Sequence, residues 1–154
     1  MESINEGIAR GMHSTAPSSA PVGPPQAKDC MATKLVTFNE EQTVREVIQI
    51  LLSKRISGGP VLGERGRLMG MVSEMDCLRA IAAGAYDNSP FARGRTVREV
   101  MTRECITVDP TADIYKMTQL FDQHRVRRLP VVEGERVVGQ VSRRDVLSAV
   151  ERTY

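Results

Sequence analysis

The sequence predicts an α+β fold in which two β-α-β-β-α repeats pack through their sheets as a pseudo-twofold pair. The segment GMVSEMD at 70–76 returns as GQVSRRD at 139–145, 69 residues later. Upstream of it, Gly59-Pro60-Val61 is matched by Leu129-Pro130-Val131, 70 residues later. A unit of roughly 60 residues is marginally stable alone, so the two copies are expected to share one core. We therefore expect the functional site to lie in the clefts between the copies.

Each repeat opens with a short β-rich stretch, at 35–38 in the first copy and at 105–108 in the second. A polar turn then leads into a helix. In the first copy Thr43 and Glu46 form a capping box at the start of that helix. Apolar residues then recur with helical spacing and form one face, made of Val44, Val47, Ile48, Leu51 and Leu52. The corresponding helix of the second copy is predicted to begin at Asp113.

A β-hairpin and a second helix complete each repeat. Short β-rich runs on either side of a Gly-containing turn predict hairpins over 60–72 and 130–141. The second helix of the first copy is predicted over 74–83, with a stop at Gly84. Its counterpart begins at Arg143 and runs into the C-terminal region.

The chain divides into a tail, two repeats and a linker. Residues 1–27 are expected to form a flexible tail, because 14–25 contains only Ser, Thr, Ala, Pro and Gly with one Val. The alternative is a tail that folds across the module or a partner. The first repeat is assigned to 28–84, the linker to 85–95 and the second repeat to 96–154.

Composition excludes several classes of protein. The 154 residues carry 21 Lys and Arg against 19 Asp and Glu, and they include no Trp, three Phe and three Tyr, so a nucleic-acid partner is not expected. The three cysteines form no CxxC pair and indicate neither a disulfide framework nor a zinc site, which favours a reducing cytoplasm. No stretch approaches the ~18 apolar residues of a membrane helix, and the first residues, with Glu2 and Glu6, do not predict a secretory signal.

Several segments resemble one known family. These are VREVMTRECITV at 97–108, HRVRRLPVVEGERVVGQVSRRD at 124–145, and the two G-x-x-S-x-x-D junctions between strand and helix. Over about residues 28–150 the chain resembles a tandem pair of cystathionine-β-synthase-type (CBS) domains, a Bateman module. The first copy is the looser match, since Gly58-Gly59 stands where a larger pair is usual.

The resemblance implies a regulatory module without catalysis. Such modules bind adenosine-containing ligands (AMP, ADP, ATP or S-adenosylmethionine, sometimes dinucleotides) in clefts between the repeats, commonly as a disc-shaped homodimer. A homodimer is also suggested by apolar residues on the second helices, namely Leu78, Ile81, Val146, Leu147 and Val150. The regulated protein is not encoded in this chain.

The residues at the two junctions suit an adenosine ligand. A carboxylate one turn into a helix that follows a strand can accept hydrogen bonds from the two hydroxyls of a ribose, as Asp76 and Asp145 would. Ser73 and Ser142 precede the helices, where free N–H groups and the positive end of the helix dipole favour a phosphate. The alternative is that Ser-x-x-Asp is only an N-terminal capping pattern.

If the clefts are arranged as in the family, each takes residues from both repeats. The expected lining of the Asp145 cleft is Ser142, Arg144 and Arg128 with Met31, Val36, Ile56 and Gly58 around the adenine. The expected lining of the Asp76 cleft is Ser73, Met101, Ile106 and Val126. Because Gly58 is the counterpart of Arg128, a phosphorylated ligand is predicted to prefer the Asp145 cleft. The alternative for the arginines of this region is a solvated face.

Two other functions compete with a ligand-binding module. An enzyme would need a nucleophile with a base or a metal set, but the imidazoles are limited to His13 and His124. No Ser-His-Asp set, HExxH motif or Walker motif can be assembled. A pure dimerisation or protein-interaction module with empty clefts remains the main alternative, because the same fold can serve it.

Overall fold

The structure is a computed structural model that describes residues 23–86 and 94–154, with only the backbone described at 85 and 86. The first repeat consists of α1 (Ala27–Cys30), α2 (Val44–Lys54), β1 (Gly58–Leu62), a 3₁₀ turn (Glu64–Gly66), β2 (Leu68–Ser73) and α3 (Glu74–Tyr86). The second consists of α4 (Val97–Val100), α5 (Ile114–His124), β3 (Arg128–Glu133), β4 (Arg136–Ser142) and α6 (Arg143–Thr153). The predicted α+β fold of two repeats is confirmed.

The sheets are two equivalent antiparallel hairpins, β1 with β2 and β3 with β4. Both ladders shift register at the same place, after Val61 in the first and after Val131 in the second. The hairpins meet where the N–H of Leu68 donates to the carbonyl of Glu135 at 3.1 Å. Within 23–86 and 94–154, no helix combines the length and apolar character that crossing a bilayer requires.

The strands predicted at 35–38 and 105–108 are reduced to single parallel bridges, Phe38 with Val61 and Val108 with Val131. Proline explains the difference. The N–H of Phe38 donates to the carbonyl of Pro60. Because proline has no backbone N–H, Pro60 cannot donate to a carbonyl of the residues that precede Phe38. Pro130 limits the second repeat in the same way. The strand prediction was therefore wrong in extent.

The helix starts follow their capping residues. Thr43 and Glu46 form the predicted capping box, with hydrogen bonds of 3.2 and 3.1 Å. The Asp113 carboxylate accepts from the N–H of Lys116 at 2.9 Å and caps α5. The predicted stop at Gly84 is wrong, because α3 continues to Tyr86. Gly84 is a buried residue of that helix.

The two repeats exchange their N-terminal segments. The segment with α1 packs on the second repeat, where the N–H of Ala27 donates to the carbonyl of Ala112 at 2.7 Å. The segment with α4 packs on the first repeat, where the N–H of Val97 donates to the carbonyl of Gln42 at 2.8 Å. Each hydrophobic core is therefore completed by the other repeat: Cys30 lies in the second core, with Ala27, and Met101 lies in the first, with Val97.

The boundary of the predicted tail needs a correction. Ala27 is fully buried, the carbonyl of Pro25 accepts from Ile114, and Gln26 caps α1. Residues 25–27 thus belong to the packed structure and not to a flexible tail. The linker predicted over 85–95 starts too early, because α3 continues to Tyr86. The tail prediction at 1–22 and the linker prediction at 87–93 lie outside the described residues.

Candidate functional site

The two junctions between hairpin and second helix place the candidate carboxylates. At the first junction, the N–H of Ser73 donates to Oδ2 of Asp76 at 2.8 Å, and the Ser73 hydroxyl donates to the same oxygen at 3.0 Å. At the second, the N–H of Ser142 donates to Oδ2 of Asp145 at 2.8 Å, and the N–H of Asp145 donates to Oγ of Ser142 at 3.1 Å. Both motifs therefore cap helices, as the alternative reading of Ser-x-x-Asp predicted. Capping fixes each carboxylate through Oδ2 and leaves Oδ1 for other partners.

The two carboxylates differ at Oδ1. Asp76 is only 6% exposed, and its Oδ1 accepts from the Thr102 hydroxyl at 3.2 Å and lies 3.7 Å from Nη1 of Arg79. Asp145 is half-buried, and the counterpart of Thr102 in its surroundings is Ala32, which has no hydroxyl. Among the described residues, no donor contacts Oδ1 of Asp145. The second carboxylate thus keeps one oxygen available for a ligand.

A cavity of about 510 Å³ opens beside Asp76 and is lined by both repeats. It brings together four residues predicted for this cleft, which are Ser73, Asp76, Ile106 and Val126. It also includes Gly58 and Arg128, which were predicted for the other cleft. The fifth predicted residue, Met101, is 8% exposed and packs beneath Gly70 in the first core.

The position of Arg128 corrects the sequence prediction. Its backbone pairs with Ser142, but Nη1 of its guanidinium donates to the carbonyl of Gly58 at 3.1 Å. The side chain can cross to the first repeat because Gly58 presents only backbone there. The guanidinium accordingly lines the Asp76 cavity, so a preference of phosphorylated ligands for the Asp145 cleft no longer follows from Arg128.

The charges around the Asp76 cavity are mixed. Arginines 125, 127 and 128 face it from the second repeat, and Glu74 and Glu104 contribute carboxylates besides that of Asp76. Cys105 also lines the cavity, and burial raises the pKa of its thiol. The cavity therefore offers partners to anionic and cationic groups.

The position related to this cavity by the pseudo-twofold is called the Asp145 cleft, defined by Ser142 at the end of β4 and Asp145 in α6. Val36 and Ile56, the sequence counterparts of Ile106 and Val126, are half-buried and pack against the first core. Met31 is half-buried and packs on β4 at Gly139. The last residue predicted for this cleft, Arg144, is exposed in the first turn of α6.

Sequence reasoning missed several residues of these sites. Three of them, Thr102, Glu104 and Cys105, lie just after α4, on the segment of the second repeat that packs on the first repeat. Comparing the repeats position by position would have marked Thr102 against Ala32 and Gln140 against Met71 as polar-to-apolar differences. The described residues contain no group of three or more His, Cys, Asp or Glu side chains that could hold a metal ion.

Comparison with known proteins identifies the repeats. The model of the CBS domain family matches residues 27–83 and again 97–152. The CBS domain-containing protein YhcV of Bacillus subtilis is 33% identical over 120 residues, which cover 77% of this chain and 81% of that protein.

Two solved structures show similar architecture. Hypoxic Response Protein I, crystallised with two coordinated zinc ions, matches with a TM-score of 0.68 at 27% identity over 80% of this chain and 98% of that chain. The CBS domain pair of protein MJ0100, in complex with 5′-methylthioadenosine and S-adenosyl-L-methionine, matches with a TM-score of 0.66 at 25% identity over 82% of this chain and 99% of that chain. The chain therefore belongs to the CBS domain family and carries two CBS domains in tandem.

Proposed function

We propose that the protein is a regulatory sensor module that binds an adenosine-containing ligand between its two CBS domains without chemical turnover. The ligand class comprises AMP, ADP, ATP and S-adenosylmethionine. The observation that carries the proposal is the pair of equivalent, cap-fixed carboxylates, Asp76 and Asp145, each at a helix start beside residues of both repeats. The MJ0100 domain pair, which is similar in fold, was solved with two adenosine-containing ligands.

The chemistry of binding follows from the geometry. A ribose has two adjacent hydroxyls, and a carboxylate whose Oδ2 is held by a cap can accept from them through Oδ1. At Asp145 no donor within 23–86 or 94–154 contacts this oxygen, whereas at Asp76 a ribose must share it with Thr102. We therefore expect the Asp145 cleft to bind the unphosphorylated nucleoside more tightly than the Asp76 cavity.

The Asp76 cavity suits the charged part of a ligand. Arg128 lies in it with Nη1 on a backbone carbonyl, so its remaining donors can pair with a phosphate. Glu74 and Glu104 offer partners to the cationic groups of S-adenosylmethionine. These opposite charges are why both phosphorylated and sulfonium ligands belong to the proposal.

We also propose that the module forms a homodimer through its second helices. Leu78 on α3 and Leu147 on α6 are 56% and 69% exposed. A groove of about 580 Å³ runs between α2 and α3, with Leu52, Leu78 and Ile81 among its lining residues. Val146, predicted to belong to this face, is 7% exposed and belongs to the second core instead. Burying exposed leucines against a second copy removes apolar surface from water.

The regulated protein would be a separate chain in the cytoplasm. The cysteines are free thiols, as a reducing compartment allows. The competing function is a dimerisation or protein-interaction module with empty clefts, which the exposed leucines favour.

Calorimetric titration separates the two functions. Wild-type protein is titrated with AMP, ATP, adenosine and S-adenosylmethionine, and the same is done with a double variant, Asp76→Ala and Asp145→Ala. We expect at least one compound to bind the wild type and the double variant to lose that binding. A wild type that binds none of them, while remaining a dimer, supports the interaction module.

A further inference from the structure

Gln140 in β4 holds an unsatisfied polar group. Its side-chain oxygen Oε1 is buried and has no hydrogen-bond partner among the described residues. A buried carbonyl oxygen without a donor costs free energy, and native proteins keep such groups rare. A position of this kind calls for an explanation, and recognised causes are strain, a functional role and a hydrogen-bond partner that is not part of the protein.

The hairpin register shows which face of β4 Gln140 occupies. Gln140 pairs with Pro130 as Met71 pairs with Pro60. Gln140 also bridges Ala32 through two backbone hydrogen bonds, of 2.9 and 3.0 Å, and Met71 bridges Thr102 in the same way. The two residues are therefore structural equivalents.

The equivalence places Gln140 at the Asp145 cleft. Met71 and Ser73 both line the Asp76 cavity, and their counterparts are Gln140 and Ser142. Between them, Val141 is fully buried in the second core, as the alternation of side chains along a strand requires. Gln140 and Ser142 consequently share the face of β4 that turns away from the core.

The two sites differ chemically at this position. A methionine thioether is a weak acceptor, whereas a glutamine carboxamide offers a strong acceptor and two donors. The terminal torsion of glutamine is broad and soft, so its carboxamide can turn toward a ligand at little cost. Only the Asp145 cleft has this acceptor beside a carboxylate suited to ribose.

We propose that Gln140 is a base-recognition residue, whose side-chain carbonyl accepts a hydrogen bond from the exocyclic amino group of an adenine bound in the Asp145 cleft. The inference rests on the proposed function and adds to it that this cleft reads the 6-amino group of the purine. The Asp76 cavity, with Met71 at the equivalent place, does not read that group through this position.

The test compares two ligands that differ by one group. AMP and purine riboside 5′-monophosphate, which lacks only the 6-amino group, are titrated calorimetrically into wild type and into Gln140→Met. Asp145→Ala identifies which binding event belongs to the Asp145 cleft. For that event we expect wild type to prefer AMP by about five-fold, the value of one neutral hydrogen bond. In Gln140→Met, the affinity for AMP should fall to the affinity for purine riboside 5′-monophosphate. The affinity for purine riboside 5′-monophosphate itself should not change.

A reciprocal variant provides the control. Met71→Gln alters the equivalent position of the other site, so the AMP preference at the Asp145 cleft should remain at about five-fold. Equal affinity of the two ligands for wild type would overturn the inference, and that comparison needs no variant to fold. Equal losses of both ligands in Gln140→Met would overturn it as well. If neither ligand binds wild type, the proposed function itself fails, a result distinct from binding without discrimination.

Discussion

Asp76 and Asp145 each accept from the backbone N–H of a serine through Oδ2, but only Asp145 has an oxygen that no described donor contacts. Replacing Asp145 by alanine removes a charged acceptor for the ribose. We expect the affinity for adenosine to fall ten- to a hundred-fold, since a hydrogen bond to a charged group contributes about 1.5 to 3 kcal/mol. Asp76→Ala should have a smaller effect on adenosine, because Thr102 shares that carboxylate. Calorimetry on the two variants measures the difference.

Loss of a helix cap must be separated from loss of binding. Asp113→Ala removes the cap of α5, whose carboxylate accepts from Lys116 and belongs to neither candidate site. It should lower the free energy of unfolding by about 1 kcal/mol without changing adenosine affinity. Adenosine affinities that fall equally in Asp76→Ala and Asp145→Ala would contradict the difference between the sites.

Arg128 is expected to bind the phosphate of a ligand in the Asp76 cavity. In Arg128→Ala, the affinity of this cavity for AMP should fall ten- to a hundred-fold because a charge-assisted hydrogen bond is lost, while adenosine binding stays the same. Arg67→Ala is the matched control, since Arg67 pairs with Glu135 on the hairpin turns, outside the cavity lining. An equal loss for AMP and adenosine would assign Arg128 a structural role instead.

Cys105 reports on occupancy of the Asp76 cavity. Because burial raises the pKa of its thiol, its thiolate fraction at neutral pH is below that of a free cysteine, and alkylation should accelerate only at more alkaline pH. Saturating AMP should slow alkylation of Cys105, followed by peptide mass spectrometry. Cys30 and Cys77 are buried in the two cores and provide controls whose slow rates do not depend on ligand. Bound AMP that leaves the Cys105 rate unchanged would exclude this cavity as its site.

At the scale of elements, glycines let the exchanged segments lie close to the hairpins. A Cβ at Gly70 would lie 2.7 Å from the carbonyl oxygen of Thr102, and one at Gly139 would lie 2.5 Å from Sδ of Met31. Backbone overlaps most in the first case, whereas in the second the main overlap is with the flexible Met31 side chain and the carbonyl oxygen of Ala32 lies farther away, at 3.0 Å. We expect Gly70→Ala to lower the free energy of unfolding by about 1 to 3 kcal/mol, and Gly139→Ala to lower it less. Urea denaturation compares them, and the reverse order would contradict this account of the contacts.

The elements that the sequence predicted well are those defined by local signals. The helices at Thr43 and Asp113 follow from capping residues and apolar spacing, and both hairpins follow from the repeat itself. The strand at 35–38 was predicted too long because Pro60, which lacks an N–H, lies opposite this segment. That pairing is visible only in the folded structure. The helix through Gly84 was underpredicted because burial by other elements outweighed the local preference of glycine.

Many residues of the candidate sites could be predicted from the sequence, but the contacts between them could not. The two Ser-x-x-Asp motifs were visible in the repeat, and Ser73, Asp76, Ile106 and Val126 do lie together. The reach of Arg128 to Gly58 was not visible, since a long side chain can cross between repeats only in three dimensions. The partner of Asp76, Thr102, was missed because it comes from an exchanged segment.

At the scale of the whole molecule, the exchange of segments makes the repeats interdependent, and the outer helices are left with exposed leucines. We expect the chain to form a dimer of twice its 17.0 kDa. Leu78→Glu combined with Leu147→Glu should convert it to a monomer, because two charges would be buried in an apolar interface. Thr107→Glu, at an exposed position of a different segment, should not. Light scattering at tens of micromolar decides, and a monomeric wild type would contradict the proposed dimer.

The central claim is that the two CBS domains bind an adenosine-containing ligand in their folded state. Thermal unfolding of the full chain tests it most directly, with AMP, ADP, ATP and S-adenosylmethionine each added at millimolar concentration. A ligand present at 100 times its dissociation constant stabilises the native state by about 2.7 kcal/mol, which raises the melting temperature by several degrees. We predict such a rise with at least one of the four compounds and its loss in the Asp76→Ala, Asp145→Ala double variant. Melting curves of the wild type that coincide with and without every compound would contradict the claim.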